Sequence, residues 1–264
     1  MDKLNQVNSL LRGLSGAVVA FSGGVDSTLL AYLAQQQLGD KTLAVTAVSP
    51  TYPEHQLVEA RQLAEKLGIN HQVIHTNEFE SADFTANPPD RCYYCKKELF
   101  ADLRRIATEK GWEAVLDGAN FDDLSDHRPG HRAAEELGIR SPLQEVGLTK
   151  QEIRDLSQSF ALPTWDKPAY ACIASRIPYG RSITPEALTK IDQAEEYLLT
   201  LGFREVRVRD HSPVARIEVG PAQMDLAWEK RSTIAKKLHE IGFIYVTLDL
   251  DGFRSGSMNE VLKK

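Results

Sequence analysis

The chain has 264 residues, of which 42% are hydrophobic and 26% are charged, and its formal net charge at pH 7 is −6. This length allows one large domain or two smaller ones, and the composition is ordinary for a globular protein. No segment approaches the roughly 20 apolar residues of a membrane helix, the first residues lack a secretion signal, and three cysteines are too few for a disulfide framework. We therefore expect a cytoplasmic protein without a membrane partner, and the acidic balance argues against a nucleic-acid partner.

The first 165 residues alternate strand-like and helix-like segments. Short apolar runs predict strands at residues 17–21, 43–48, 72–75 and 114–116. Helical periodicity predicts helices between them at residues 30–37, 54–67 and 91–110. This alternation predicts an α/β domain over residues 1–165 with a parallel sheet covered by helices on both faces. In such sheets, ligands bind outside the carboxyl ends of the strands.

The second part of the chain has a different texture. Residues 166–183 are rich in proline and tyrosine without a clear period, which predicts a linker that carries function. The segments that follow predict a helix at 184–201, strands at 206–209 and 214–219, a helix at 222–241 and a strand at 244–248. We expect these to form a smaller C-terminal α+β domain over residues 184–264, which serves substrate binding or oligomerisation.

A glycine turn joins the first predicted strand to a helix. Its residues are Ser22, Gly23, Gly24, Val25, Asp26 and Ser27. A strand, a glycine turn and a helix start direct backbone N–H groups and a positive helix end at one point, which favours phosphate binding. A carboxylate beside phosphates requires a cation, so Asp26 predicts Mg²⁺. The loop resembles the pyrophosphate loop of the N-type ATP pyrophosphatases, which cleave ATP between the α and β phosphates.

Two further segments carry candidate ATP-site residues. Gly118 and Asp122 follow the fourth predicted strand, and so they should return to the same edge of the sheet, where a carboxylate can hold Mg²⁺ or orient a nucleotide. The nearby Arg128 is a candidate partner for a phosphate or a carboxylate. Lys150 and Arg154 lie four residues apart on one helix face, which fits a phosphate clamp and a solvated pair equally well.

The three cysteines allow several interpretations. Cys92 and Cys95 lie three positions apart on a helical turn, and Cys172 lies in the predicted linker. The first two alone would make a redox dithiol, and a zinc site would need a fourth ligand such as His131. A [4Fe–4S] cluster held by all three would keep one iron open. Packed free thiols remain the simplest alternative.

Arginines and glutamates follow the predicted strands of the C-terminal domain. Arg207 and Arg209 share one strand face, as do Arg216 and Glu218, because side chains alternate along a strand. Paired arginines favour a phosphate or a carboxylate. We therefore expect these residues, together with Glu195, to bind substrate; an exposed sheet face with surface arginines is the alternative.

Several motifs together resemble the LarE family. They are residues 21–27, 116–123 with 128–130, 174–180, 206–209, 214–218, 245–250 and 252–256. The resemblance covers nearly the whole chain. It implies an adenine nucleotide alpha hydrolase-like fold and an enzyme that uses ATP and Mg²⁺ to adenylylate the carboxylates of pyridinium-3,5-biscarboxylic acid mononucleotide. Sulfur then replaces AMP, which gives the thiocarboxylates of the nickel-pincer nucleotide, the cofactor of lactate racemase.

The resemblance also implies how sulfur is supplied. In one LarE subgroup a single cysteine gives up its sulfur, and Ala171 stands at that position here, although the neighbouring Cys172 is a candidate replacement. In a three-cysteine subgroup the cysteines hold a [4Fe–4S] cluster with an extra sulfide, which implies catalytic and cluster-binding roles for Cys92, Cys95 and Cys172. Arg176, in the motif after Cys172, is then a substrate-binding candidate. The family further implies a homo-oligomer, a hexamer, and transfer of the product to other cofactor-synthesis proteins.

Two other enzyme classes share the pyrophosphate loop. An amidating ligase of the NAD synthetase type uses ammonia and needs no cysteines, so the three cysteines argue against it. A tRNA-thiolating enzyme needs a basic face, which the acidic balance disfavours.

Overall fold

The computed structural model describes residues 2–125, 129–168, 172–254 and 256–263. The chain divides into two compact units, Met1–Phe84 with Asp90–Ala169, and Thr85–Pro89 with Tyr170–Lys264. The division in the second half of the chain lies within the predicted linker. In the described part of the chain, none of the helices combines the length and the apolar character that crossing a membrane requires.

The first unit contains a four-stranded parallel sheet, as predicted. Its strands are β1 (Ala17–Ala20), β2 (Thr42–Val48), β3 (His71–His75) and β4 (Ala114–Leu116). Their order is β3-β2-β1-β4, with Val19 of β1 opposite Ala44 on one side and opposite Leu116 on the other. The two central strands are buried over most of their length, as expected for a sheet with helices on both faces.

Residues 2–125 and 129–168, as far as the structure describes them, contain eight α-helices. They are α1 (Lys3–Arg12), α2 (Val25–Leu38), α3 (Glu54–Lys66), α4 (Ala82–Thr85), α5 (Arg91–Glu109), α6 (Gly130–Glu136), α7 (Pro142–Glu145) and α8 (Lys150–Ser159). Apolar side chains from α1, α2, α3 and α8 pack on one face of the sheet, and those from α5 and α6 pack on the other. The helix α2 begins five residues before the predicted helix at 30–37, because its first turn includes the polar residues Asp26, Ser27 and Thr28, which a search for apolar periodicity does not detect.

The described residues of the second unit form one three-stranded sheet and three α-helices. Its elements are α9 (Pro185–Thr200), β5 (Val206–His211), β6 (Val214–Val219), α10 (Met224–Glu229), α11 (Arg231–Ile241) and β7 (Tyr245–Leu248). The strand β6 pairs antiparallel with β5 and parallel with β7. The single helix predicted at 222–241 is wrong, since a 3₁₀ turn at Pro221–Gln223 precedes α10 and Lys230, with φ −86° and ψ 4°, ends it.

A short segment from the first half of the chain belongs to the second unit. Thr85–Pro89 crosses into it between Phe84 and Asp90. Asn87 has no exposed surface and adopts φ 53°, and its amide donates to the carbonyls of Ile177, Pro178 and Arg181 at 3.2, 2.8 and 3.0 Å. No pattern in the sequence indicated that residues 85–89 belong to the second unit.

Candidate active site

The glycine turn after β1 forms a compact loop at the carboxyl end of the sheet. Gly23 has φ +68°, and Gly24 precedes α2, whose first intrahelical hydrogen bond runs from Thr28 N to Gly24 O at 3.0 Å. The amides of Val25, Asp26 and Ser27 therefore precede the helical hydrogen-bond ladder and point along the helix axis. This geometry is suited to an anion.

Hydroxyl groups brace the loop from inside. The Ser22 and Ser27 side chains lie 3.1 Å apart, and the Ser27 hydroxyl donates to Gly24 O at 3.3 Å. Gly23 is buried, and a Cβ at this position would lie 3.3 Å from the Cβ of Ala60. The loop is thus shaped before any ligand binds, which lowers the entropic cost of binding.

Three side chains from outside the loop donate hydrogen bonds to carbonyl groups within the loop or directly before it. Thr46 of β2 donates to Phe21 O at 2.7 Å, and Tyr52 donates to Ser22 O at 3.1 Å. Lys167 donates to Gly23 O at 3.1 Å and pairs with Glu59 at 2.9 Å. Burial, followed by the charge of Glu59, raises the pKa of Tyr52 to about 12, so its hydroxyl remains a donor at neutral pH.

The segment after β4 packs against the loop, as its place in the sheet predicts. A Cβ on Gly118 would lie 2.9 Å from Ser27 N, so only glycine allows this approach. Asn120 donates to Asp26 Oδ1 at 3.4 Å, a long contact. Asp122 is exposed and accepts from the Lys150 amide at 2.8 Å. Arg128 lies outside the described residues.

The carboxylate of Asp26 is in contact with a cation of the protein itself. Lys150 Nζ lies 2.5 Å from Asp26 Oδ2, with side-chain exposures of 32% and 22%. Arg154, four residues on, is directed elsewhere, because it donates to the carbonyls of Trp165 and Lys167 at 2.7 and 2.9 Å. The two basic residues therefore have different partners, and only Lys150 lies at the loop.

Most of the predicted substrate residues of the second unit take part in two ionic groups, each built around a buried glutamate. Arg209 donates to Glu218 at 2.6 Å and 3.0 Å, and Arg216 donates to the other oxygen of Glu218 at 2.9 Å. Arg207 lies 5.0 Å from the ring of Phe253. Arg207 and Arg209 are only 6% and 5% exposed, which rules out the exposed sheet face considered above.

The second group pairs Arg176 with Glu195. Both are buried, and the guanidinium meets the carboxylate with two hydrogen bonds of 2.8 Å. Glu195 also accepts from Val208 N at 2.9 Å. Burial raises the pKa of Glu195, but the charge and hydrogen bonds of Arg176 outweigh this and hold the pKa below its usual range. Arg176, Arg209 and Arg216 are thus each paired with a carboxylate of their own unit, and substrate binding by the two groups stays a prediction.

Comparison with known proteins gives a consistent result. The NAD synthase family model matches residues 4–106. The chain is similar to the pyridinium-3,5-bisthiocarboxylic acid mononucleotide synthase of Lactiplantibacillus plantarum, with 42% identity over 96% of this chain and 92% of the relative. It belongs to the LarE family. The chain is therefore an enzyme of the ATP pyrophosphatase type.

Two other proteins are similar to this LarE chain over most of its length. An uncharacterized protein of Synechocystis is 46% identical over 100% of this chain and 99% of its own length. The tRNA-specific 2-thiouridylase MnmA of Rickettsia conorii is 26% identical over 88% of this chain and 72% of its own length. The names of the Lactiplantibacillus and Rickettsia proteins both contain a sulfur-bearing compound.

The cysteines of this LarE chain lie in both units. Cys92 is exposed in the first turn of α5 and Cys95 is half-buried one turn on, while Cys172 is exposed in the second unit. A helix N-terminus favours a thiolate. Lys97 donates to the hydroxyl of Tyr93 at 3.4 Å, and Arg176 donates to the backbone carbonyl of Cys172 at 3.0 Å.

The donor sets fit the two inorganic groups to different degrees. Magnesium bound with a nucleotide needs one or two carboxylates and takes its other ligands from phosphate and water. Asp26 at the loop meets that requirement. Over residues 2–125, 129–168, 172–254 and 256–263, no group of three or more His, Cys, Asp or Glu side chains is placed to hold a metal ion. The zinc site with His131 and the [4Fe–4S] site at the three cysteines both stay predictions.

Sequence reasoning missed three residues of the site. Tyr52 follows β2 and Asn120 follows β4, so the rule that ligands bind at the carboxyl ends of strands was the available signal for both. Lys167 lies in the proline-rich segment and is brought to the loop by Arg154. No pattern in the sequence indicated that contact.

Proposed function

We propose that this LarE enzyme converts the carboxylates of pyridinium-3,5-biscarboxylic acid mononucleotide into thiocarboxylates at the expense of ATP. The observation that carries the proposal is the near full-length match to a synthase of the bisthiocarboxylic acid mononucleotide. The preformed anion loop at residues 22–27, with Asp26 at its centre, supports the ATP-dependent half of the reaction.

The first step activates a carboxylate. A carboxylate oxygen attacks the α-phosphorus of ATP, and the bond to the β-phosphate oxygen breaks, which gives an acyl-adenylate and pyrophosphate. Backbone N–H groups of residues 25–27 and the Ser22 and Ser27 hydroxyls bind the phosphates that carry the developing charge. Asp26 would hold Mg²⁺, which neutralises the pyrophosphate.

The second step exchanges AMP for sulfur. A sulfide-level sulfur attacks the acyl carbon, and the bond to the AMP oxygen breaks, so AMP leaves as a phosphate monoester. No redox change is required when the donor is sulfide. The adenylate supplies the leaving group that a bare carboxylate lacks.

The test supplies ATP, Mg²⁺, the dicarboxylate nucleotide and sodium sulfide under anaerobic conditions. We expect AMP, pyrophosphate and a product in which sulfur replaces a carboxylate oxygen, seen by mass spectrometry. Ammonium replaces sulfide in a parallel reaction that tests the amidating alternative. AMP formation with an amide product, or dependence on tRNA, would refute the proposal.

We further propose that Cys92, Cys95 and Cys172 hold a [4Fe–4S] cluster that presents the sulfide. Support comes from the thiolate donor type, the exposure of Cys92 and Cys172, and the implication of the three-cysteine subgroup. The test is visible absorbance and iron content after anaerobic reconstitution, in the native chain and in single Cys→Ala variants. Loss of one sulfur atom from Cys172 during turnover, seen in the intact mass, would instead indicate a sacrificial mechanism.

We also propose that the protein is a cytoplasmic homo-oligomer, a hexamer by family resemblance, that transfers its product to other cofactor-synthesis proteins. Light scattering on the purified chain tests the assembly. A monomer at all concentrations would exclude it.

A further inference from the structure

The first peptide of the glycine loop has an orientation that the local sequence does not fix. Gly23 has φ +68°, and glycine adopts positive and negative φ with similar ease, so the plane of the Ser22–Gly23 peptide is able to turn over. This peptide is trans, and in a planar trans peptide the C=O and the N–H point in opposite directions. The group that holds Ser22 O therefore also decides where the Gly23 N–H points.

The Gly23 amide differs from its neighbours in its hydrogen bonds. Ser22 N donates to the Ser27 hydroxyl at 3.3 Å, and Gly24 N donates to the Ser22 hydroxyl at 3.4 Å. Gly23 is buried, and its N–H has no acceptor within the part of the chain that the structure describes. Buried backbone donors without an acceptor are rare in proteins, so this N–H is a candidate donor to a ligand.

A hydroxyl from outside the loop holds Ser22 O. Tyr52 donates to it at 3.1 Å and thereby directs the Gly23 N–H away from the tyrosine ring. Tyr52 lies in the turn that follows β2, and this turn is closed by a hydrogen bond from Tyr52 N to Ser49 O at 2.9 Å. The position of the Tyr52 hydroxyl consequently depends on how this turn is fixed.

A buried carboxylate fixes the turn. Glu78 is only 3% exposed, and the hydroxyls of Ser49 and Thr51 donate to its Oε1 at 2.5 and 2.9 Å. Thr76, directly after β3, donates to its Oε2 at 3.0 Å. A buried carboxylate requires such hydrogen bonds, because it has lost those of water. Glu78 thus ties the turn that carries Tyr52 to the segment after β3.

We propose that Tyr52 is a positioning residue that sets the Ser22–Gly23 peptide so that the Gly23 N–H binds a phosphate oxygen. Glu78 acts through Tyr52, because it fixes the turn from which the tyrosine projects. Neither side chain needs to touch the ligand. The inference deepens the proposed function, on whose ATP-dependent step it rests.

The test measures binding and does not require turnover. Calorimetry with Mg²⁺ and α,β-methylene ATP, and separately with Mg²⁺ and inorganic pyrophosphate, compares the native chain with Tyr52→Phe and Glu78→Gln. Tyr52→Phe keeps the ring and removes the donor to Ser22 O. The loss of one hydrogen bond corresponds to an affinity loss of about 2- to 12-fold, and Glu78→Gln should lose about twofold or more but no more than Tyr52→Phe.

A double-mutant cycle tests whether Glu78 acts through Tyr52. The double variant should lose no more affinity than Tyr52→Phe alone, because the contact that Glu78 supports is then already absent. Additive losses would overturn the proposal, and so would native-like affinity in a folded Tyr52→Phe chain. If Glu78→Gln does not fold, Thr51→Val takes its place in the cycle, since it removes one hydroxyl that joins the turn to Glu78.

Nuclear magnetic resonance of the nucleotide-free chain separates positioning from direct contact. With isotope-labelled glycine, the Gly23 amide resonance should shift in Tyr52→Phe and in Glu78→Gln. The matched control is Tyr179→Phe, which removes a hydroxyl that donates to Asn259 at 2.9 Å and should leave both this resonance and the affinity unchanged. An unchanged Gly23 amide in Tyr52→Phe would overturn the proposal, because any affinity loss would then come from direct contact between Tyr52 and the ligand.

The assay also separates this proposal from the proposed function. It contains no sulfur source and no dicarboxylate, so a failure to form thiocarboxylate leaves the binding result valid. Conversely, an enzyme that forms thiocarboxylate and binds both phosphate ligands equally well as Tyr52→Phe would refute only the positioning role.

Discussion

Replacing Glu195 with glutamine tests the buried ion pair between Arg176 and Glu195 in the second unit. The change keeps the shape of the side chain and an acceptor for Val208 N, but it removes the charge that faces Arg176. The guanidinium has no exposed surface, and so it cannot regain solvation from water. Breaking one partner of a buried pair costs about 3–5 kcal/mol. We expect about 3 kcal/mol here, because glutamine retains one acceptor.

That loss is large compared with the total stability of a domain, roughly 5–15 kcal/mol. For a unit of this size it corresponds to a fall of roughly 12–24 °C in the midpoint of thermal unfolding. Urea unfolding followed by circular dichroism measures the free energy. The matched control is Glu240→Gln, in an exposed pair with Lys237 at 3.4 Å, where we expect a change below about 0.5 kcal/mol.

Two outcomes would refute this reasoning. A loss below about 1 kcal/mol in Glu195→Gln would mean that the buried charge is compensated by other groups. A double variant, Arg176→Met with Glu195→Leu, that is no more stable than Glu195→Gln would also refute it, because the double variant leaves neither charge unpaired. The pKa of Glu195 lies below its usual value of 4.5, so the contribution of the pair is present above pH 4.5 and should be lost as the pH falls below it.

Three further predictions concern the first unit. Asp26→Asn should abolish pyrophosphate release from ATP with an unchanged circular dichroism spectrum, and undiminished release would exclude a Mg²⁺ role for Asp26. Gly118→Ala places a Cβ 2.9 Å from Ser27 N, and so pyrophosphate release should fall about tenfold or more while the fold persists. A native rate of pyrophosphate release would show that the loop can shift to accommodate the Cβ. The pKa of Glu152 is lowered to about 2, chiefly by its hydrogen bond from Lys3, so its stabilisation is present above pH 4.5 and lost as the pH falls towards 2. Glu152→Gln should therefore lose less than about 1 kcal/mol at pH 7, because the pair is well exposed, and nothing at pH 2, as urea unfolding can show.

Much of the fold could be predicted because local patterns determine it. Buried parallel strands are apolar over their whole length, so β1, β2 and β4 were recognisable as short apolar runs. The division of the helix at 222–241 was not predictable from periodicity, since apolar residues continue on both sides of Lys230. The helix α1 was not predicted, although two of its residues, Val7 and Leu11, pack into the core.

The ATP site was partly predictable for the same reason. The loop at 22–27 and Gly118 follow strands of one sheet, and topology brings such segments together. The contact of Lys150 with Asp26 depends on where α8 packs, and the local sequence pattern does not predict that position. Burial of Arg207 and Arg209 was also hidden, because alternation shows that side chains share a face but not whether that face is covered.

The crossing at Thr85–Pro89 makes the second unit discontinuous in sequence. A fragment that begins at residue 170 lacks Asn87, and the carbonyls of Ile177, Pro178 and Arg181 then lose their donor. Such a fragment should express poorly by itself, although the sequence pattern suggests a C-terminal domain that could be separated there. A second unit expressed by itself would therefore need residues 85–89 supplied together with residues 170–264.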